Sequence, residues 1–245
     1  MRLIEDLAPL DPRLGLACDE ALLESVRGGG SGVVRLWVND RAVVIGRSQA
    51  IASEVDVVAA RQERIPVLRR ITGGGAVYHY PGNLNVTVAV PAGATAGSVR
   101  AIFARWGGAV CDGLEAIVTG TTIDGTRIGV LGRKLGGAAQ LRRAGAVLFH
   151  TTVLVVPSVR PIEWLLRAHR PDYATERVPS RPDETITLCE AAGRPVGLDE
   201  AAGAIRRGLA RCEDLKADGI FAREAARARD LVATKYGKVE WNESR

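Results

Sequence analysis

Three consecutive glycines flanked by arginine and histidine are the first residues of this chain whose types and order suggest chemistry. The run reads Arg69-Arg70-Ile71-Thr72-Gly73-Gly74-Gly75-Ala76-Val77-Tyr78-His79. Adjacent glycines let a backbone approach a ligand closely and take up positive φ, and their N–H groups can form an anion-binding concavity. Arg70 adds a permanent planar charge that can fork onto a phosphate or a carboxylate. A bare glycine triplet also suits a flexible turn between strands. The flanking Arg-Arg and Ala-Val-Tyr-His make the pattern more specific. No helical pattern follows, so the run is not the dinucleotide-binding GxGxxG fingerprint.

A second cluster is Gly132-Arg133-Lys134-Leu135-Gly136-Gly137-Ala138-Ala139-Gln140. Lys134 follows an apolar strand and precedes small residues that leave a pocket open. A fixed ammonium there can stabilise a carboxylate, a phosphate or a developing oxyanion; the alternative is a solvated lysine at a strand end. His150 stands in the apolar run Leu148-Phe149-His150-Thr151-Thr152-Val153, and His79 adjoins the glycine run. A histidine in an apolar strand is commonly a hydrogen-bonded core residue. His169, within Arg167-Ala168-His169-Arg170, reads as solvated. Three scattered histidines and four scattered cysteines give no zinc spacing. There is no GxSxG elbow and no Walker lysine.

These clusters must be held by the elements around them. Asp11-Pro12 reads as a helix start, with Leu14, Ala17, Cys18, Ala21, Leu22 and Val26 at helical spacing and Gly28-Gly29-Gly30 as its end. Val33 to Val38 and Ala42 to Ile45 read as a hairpin around Asn39-Asp40-Arg41. A helix is predicted over 54–63, strands over 66–71 and 84–90, and a long helix from Ser98 to about Ile117. Asp124-Gly125 marks a tight turn between 121–123 and 126–131. The longest apolar strand is Ala146 to Val156. Helices are predicted at roughly 160–168, 186–192, 199–214 and 222–236. Hairpins outnumber strand–helix–strand units before residue 156. The expected fold is therefore α+β, a mixed, largely antiparallel sheet flanked by helices, in a single domain over 1–245.

Composition sets the outer bounds. The 245 residues are 47% hydrophobic and 25% charged, which excludes a disordered chain and allows a sizeable core. Lys and Arg total 33 against 28 acids, a net charge of +5, and the pI is about 9.3. That balance suits an anionic partner. The arginine clusters at 206–211 and 223–228 read as solvated helix faces, because 4% aromatic content leaves few groups to stack nucleic-acid bases. No nucleic acid is expected as a partner. The cysteines at 18, 111, 189 and 212 read as reduced thiols of a cytoplasmic protein. Neither a signal peptide nor a membrane span is expected.

Together these segments resemble the lipoate–protein ligase family, which shares a catalytic fold with biotin ligases and octanoyltransferases. The matching residues are Leu36-Trp37-Val38-Asn39, Val43-Val44-Ile45-Gly46-Arg47-Ser48-Gln49, Arg69 to His79, Gly82-Asn83, Gly132-Arg133-Lys134 with Gly137, and His150. Ala17 to Leu23 is similar to the family's first helix, and Lys235-Tyr236 with Glu240-Trp241-Asn242 to the close of its large domain. The resemblance implies that Arg70, Gly74, Gly75, Ala76, Val77 and Tyr78 hold ATP or the acyl-adenylate. It implies that Lys134 is the catalytic residue contacting the lipoate carboxyl and the adenylate linkage. His79, Asn83, Ala138 and His150 would line the same pocket.

The implied chemistry has two steps. Lipoate attacks the α-phosphate of ATP, helped by Mg²⁺, giving lipoyl-AMP and pyrophosphate. A lysine of an apo lipoyl domain, in a glycine-cleavage H protein or a 2-oxoacid dehydrogenase E2 component, then takes the acyl group. Bringing two anions together requires fixed cations, which Arg70, Lys134 and Mg²⁺ supply.

Three departures from the family pattern stand out. Thr126-Arg127-Ile128 replaces a stretch that often carries an acid for magnesium, a role Asp124 could take over. Thr151 stands where many ligases have glycine, which would narrow the site. The sequence stops just after Trp241-Asn242, where many ligases continue into an accessory domain, and this implies a separate small partner subunit. The alternatives are an ATP-independent octanoyl or lipoyl transferase with a cysteine nucleophile, for which Cys189 is the candidate, and a non-catalytic lipoate-binding module.

Overall fold

The computed structural model describes residues 1–93 and 97–244. Strand β1 (Arg2–Leu10) leads into helix α1 (Pro12–Arg27), where the Asp11 side chain accepts the Arg13 N–H at 2.8 Å and Pro12 occupies the first turn. Strands β2 (Val33–Asn39) and β3 (Ala42–Ile45) follow, then short helices α2 (Ile51–Glu54) and α3 (Val57–Gln62). Next come β4 (Val67–Arg69), β5 (Val77–His79) and β6 (Asn83–Pro91). The segment predicted as one long helix is α4 (Val99–Ile102) and α5 (Gly108–Leu114), joined through a π-helical turn at Phe103–Gly107. Strands β7 (Thr122–Asp124), β8 (Arg127–Val130), β9 (Arg133–Arg143) and β10 (Ala146–Leu154) form successive hairpins. The chain ends through α6 (Leu188–Ala192), α7 (Leu198–Ala210), β11 (Lys216–Ala217), α8 (Ala222–Leu231) and α9 (Val239–Asn242).

The large sheet has the order β11-β1-β2-β6-β10-β9-β8-β7, and a small sheet has the order β4-β3-β5. Strand β1 runs parallel to both β2 and β11; the other neighbours in the large sheet pair antiparallel. The fold is thus α+β with a mixed, mainly antiparallel sheet, as expected. One apolar layer sets α5 and α7 against the large sheet, through Val34, Val86, Phe149, Ile205 and Leu209. A second sets α1 and α8 against the opposite face, through Leu22, Trp37, Leu148 and Leu231. A third lies under the small sheet, where Val43, Ile45, Tyr78 and Leu165 meet.

Other expectations change, and two strands carry no signal in the sequence. Strands β2 and β3 do not pair: Asp40-Arg41 carries the chain from the large sheet to the small one. Each strand is buried along its whole length and finds its partners elsewhere, β2 on β1 and β6, β3 on β4 and β5. Strand β1 gave no alternating signal because its second half carries acids and a proline and only its first residues are buried. Strand β9 carries no strand signal because Gly136, Gly137, Ala138 and Ala139 have low strand propensity. The strand forms because small residues let β10 come close; a Cβ on Gly136 would lie 2.4 Å from the Thr152 carbonyl oxygen. The helix expected over 160–168 is two 3₁₀ turns, Ile162–Trp164 and Arg167–His169.

Candidate active site

A cavity of about 360 Å³ opens between the two sheets. The glycine bend and β5 form one wall, with Arg70, Gly74, Gly75, Ala76, Val77 and His79. Strands β9 and β10 form the other, with Lys134, Ala138 and His150. A smaller cavity of about 70 Å³ adjoins it and shares Ala76, Val77, Lys134 and Gly137; Tyr78 and Asn83 lie on its wall. The structure therefore brings every residue that the resemblance assigned to the catalytic and nucleotide pocket to one pair of adjoining cavities.

The bend is fixed by close packing. Gly74 has φ +90°, and a Cβ on Gly46 would lie 2.0 Å from the Gly74 carbonyl oxygen. Arg70 is buried and spends its guanidinium on this architecture. It donates to Thr72 Oγ1 at 3.0 Å and to the carbonyls of Val44 (3.1 Å), Gly73 (2.6 Å) and Gly75 (2.8 Å). Burial pulls its pKa down to about 10, so it stays charged at neutral pH. The fork expected to grip a ligand anion grips the bend instead, and the bend's backbone is left to meet the ligand. Its neighbour Arg69 donates to the carbonyls of Gly46, Gln49 and Asn242, anchoring the C-terminal α9 beneath the same bend.

Lys134 opens β9. Its Nζ donates to Asp183 Oδ2 at 2.9 Å, and Arg127 Nε lies 3.9 Å from the other Asp183 oxygen. Asp183 belongs to a strap, residues 178–186, that lines the main cavity through Val178, Ser180, Arg181 and Asp183. The Lys134 N–H donates to Glu184 O at 2.8 Å, and the Ile186 N–H donates to Lys134 O at 2.9 Å. Farther along, the Ser180 hydroxyl donates to the buried Glu54 at 2.5 Å and accepts the Ala76 N–H at 2.8 Å. The Tyr173 hydroxyl donates to the same Glu54 at 2.7 Å, and burial with that carboxylate pushes the phenol up to about 12.

Both pocket histidines sit in hydrogen-bond chains. Asn39 Nδ2 and His79 Nδ1 lie 2.9 Å apart, and His79 Nε2 faces Thr152 Oγ1 at 3.1 Å; with the Asn39 amide as placed, the ring proton is on Nε2. Burial, together with the Arg70 charge, pulls the His79 pKa down to about 3, so this ring is neutral. His150 Nε2 meets Thr72 Oγ1 at 2.8 Å, and its Nδ1 lies 3.5 Å from Asp19 Oδ2 on α1. Asp19 is itself held by Arg35 and Thr87.

Several site residues escaped sequence reasoning. Asp183, Ser180 and Arg181 lie in a stretch without periodicity. Asp19 is an acid on the buried face of a helix, and that anomaly could have flagged it. His169, read as solvated, lines the smaller cavity. Asp124 is exposed near the tip of the β7–β8 hairpin and lines neither cavity, whereas Asp183 lines both. Thr151 alternates with His150 and Thr152 along β10 and donates to Gly137 O at 3.0 Å, yet it still lines the main cavity. None of the four cysteines lines either cavity. Cys189 exchanges hydrogen bonds with the Val196 backbone, and burial pushes the Cys111 thiol up to about 12.

The wall presents Lys134, Arg127 and Arg181 against one acid, Asp183, a balance suited to anions. Among the described residues no group of three or more His, Cys, Asp or Glu could hold a metal ion. One carboxylate fits a magnesium that arrives on nucleotide phosphates and needs few protein ligands.

The chain is 31% identical to a candidate lipoate-protein ligase A of Aeropyrum pernix, over 93% of this chain and 86% of that one. It is 29% identical to lipoate-protein ligase A subunit 1 of Thermoplasma acidophilum, over 96% and 93%. It is 32% identical to octanoyltransferase LipM of Symbiobacterium thermophilum, over 93% and 92%. Among solved structures, one described as a bi-partite lipoate protein ligase and its E2 lipoyl domain from T. acidophilum superposes with a TM-score of 0.85 at 28% identity, covering 99% of this chain and 95% of that one. A lipoate-protein ligase A bound with ATP superposes with 0.83 at 30% identity, covering 99% and 98%, and a T. acidophilum protein with bound lipoic acid with 0.83 at 29%, covering 99% and 98%. The lipoyl protein ligase A/B catalytic domain model matches residues 11–210, and the chain belongs to that family.

Proposed function

We propose that this chain is the catalytic domain of a lipoate–protein ligase, which activates lipoate with ATP and transfers the lipoyl group to a lysine of an apo lipoyl domain. The observation that carries this reading is the placement of Lys134 and the glycine bend on facing walls of one cavity. Relatives solved with ATP and with lipoic acid support the two substrates.

In the first step a carboxylate oxygen bonds to the α-phosphorus and the bond to the β-phosphate oxygen breaks, releasing pyrophosphate. Lys134 lies where both anions must converge, and its ammonium offsets their repulsion. The backbone of Gly74 to Tyr78, fixed from beneath by Arg70, receives the adenylate. Mg²⁺ supplies charge neutralisation on the phosphates, and Asp183 is the wall carboxylate that would hold it. In the second step the acceptor amine attacks the acyl carbon, the bond to AMP breaks, the amine loses a proton, and Lys134 steadies the oxyanion. Asn83, Ala138, His79 and His150 shape the pocket. His79, held neutral, contributes a fixed dipole rather than a charge.

A separate accessory subunit is part of this proposal. It is supported by the relative named subunit 1 and by the structural neighbour described as bi-partite. The expected acceptor is a lipoyl domain of the H-protein or E2 type. Four free cysteines support a reducing, cytoplasmic setting. The cysteine-dependent transferase reading is not favoured, despite the similarity to an octanoyltransferase, because no thiol reaches the cavity.

The test incubates the chain with an apo lipoyl domain under two conditions: lipoate with Mg-ATP, with and without a small accessory subunit, or octanoyl-carrier protein without ATP. Intact mass of the acceptor reports the product. A lipoyl adduct that depends on ATP and is raised by the accessory subunit is the expected result. An octanoyl adduct formed without ATP would overturn the ligase reading.

A further inference from the structure

A buried polar atom in the wall of the main cavity lacks a partner. Asn85 is 2% exposed, lines the cavity, and its Nδ2 makes no hydrogen bond. With the Asn39 amide as placed, its Nδ2 donates to His79 Nδ1, and His79 Nε2–H donates to Thr152 Oγ1. The Thr152 hydroxyl proton then goes to Asn85 Oδ1, at 2.8 Å. Flipping the Asn85 amide would leave that hydroxyl facing a donor. In this arrangement the orphan is a donor.

Its surroundings are those of an acyl slot. Asn85 stands opposite Trp37 on β2 and opposite Thr152 on β10. Leu16, Trp37, Val44 and Val77 supply the apolar part of the same cavity. Across β10 from Asn85 on β6 stands Gly137 on β9, three residues along from Lys134, so two strand spacings and three residues separate the two backbones by roughly 14 Å. That separation suits an acyl chain whose carboxyl end meets Lys134 and whose tail reaches Asn85.

We infer that Asn85 is a specificity-determining residue that selects the acyl tail, its Nδ2–H donating to a sulfur of a dithiolane ring. The inference rests on the lipoate-ligase reading of the cavity. A hydrocarbon tail buries the donor without a partner, whereas a sulfur, though a weak acceptor, gives it one. A site with a built-in donor discriminates against an analogue that lacks the acceptor. The cavity wall thus distinguishes lipoyl from octanoyl by chemistry as well as by shape.

The test is calorimetric binding of lipoate, octanoate and 5-cyclopentylpentanoate, the carbocycle that replaces both sulfurs by CH₂, to the full chain and to Asn85→Leu. The wild-type chain is expected to bind lipoate about three- to tenfold more tightly than the carbocycle, and Asn85→Leu to bind the two about equally. Asn85→Ser, which keeps a hydroxyl donor, should restore part of the preference. A merely structural role for Asn85 would weaken all three acids together and leave the ratio unchanged, which overturns the inference. Equal binding of lipoate and the carbocycle by the wild-type chain overturns it whether or not the variants fold. Binding of none of the three acids overturns the lipoate reading itself.

Discussion

Lys134 Nζ and Asp183 Oδ2, 49 positions apart in sequence, meet at 2.9 Å where the main cavity joins the smaller one. Both side chains keep about a quarter of their surface in solvent, so the pair adds little stability, on the order of 0–1 kcal/mol. Its importance lies in where it holds the charge. Asp183→Asn is expected to leave the melting temperature within a few degrees of wild type. It should raise KM for Mg-ATP severalfold, because the wall carboxylate next to the phosphates is gone. Thermal denaturation and steady-state kinetics on the same preparation check both parts.

The neutral His79 gives a pH dependence of defined sign. Its pKa falls from the ordinary 6.5 to about 3 in the fold. Between those values the unfolded chain binds the proton and the folded chain does not, so stability falls as pH drops below about 6.5 and the loss accumulates toward 3. The slope from this one group approaches 1.4 kcal/mol per pH unit. His79→Gln, which keeps hydrogen-bonding capacity without titrating, should flatten the urea-unfolding profile between pH 4 and 6.5. An unchanged slope would contradict the buried neutral ring.

Ser180 joins the strap to both the glycine bend and α2. Removing its hydroxyl in Ser180→Ala leaves the Ala76 N–H without its acceptor and takes a donor from the buried Glu54. A cost of about 1–3 kcal/mol follows, together with faster limited proteolysis within 173–183. Unfolding midpoints and digestion rates measure the two effects.

A variant with Cys18, Cys111, Cys189 and Cys212 all replaced by serine or alanine should keep ligase kcat within about twofold once folded, since none of the thiols lines the cavity. Acceptor modification followed by intact mass gives the comparison. A complete loss of activity in a folded Cys189→Ser single variant would revive the cysteine route.

The parts of this fold legible in the sequence are those where local chemistry and tertiary need agree. The Asp11 cap, the glycine bend, the Asp124-Gly125 turn and the apolar β10 all announce themselves. Strand β9 does not, because the small residues that let it pack closely are poor strand formers. Strand β1 is held by the burial of Arg2 against Glu224, a contact 222 positions away that no local pattern encodes. In the site, Arg70 and Lys134 stand out by type and context. Asp183 and His169 reach the cavities only through the irregular path of 157–187, and the inward tie of Arg70 emerges only when the carbonyls of Val44, Gly73 and Gly75 are brought around it.

The central claim is that the ammonium of Lys134 and the glycine bend jointly bind one molecule that carries both an acyl chain and an adenylate. Titration of the full chain and of Lys134→Ala with lipoyl-sulfamoyl-adenosine, a stable mimic of the intermediate, tests it most directly. Tight binding by the wild-type chain, weakened at least a hundredfold in a folded Lys134→Ala, is the expected result. Equal affinity in the two proteins would contradict the account.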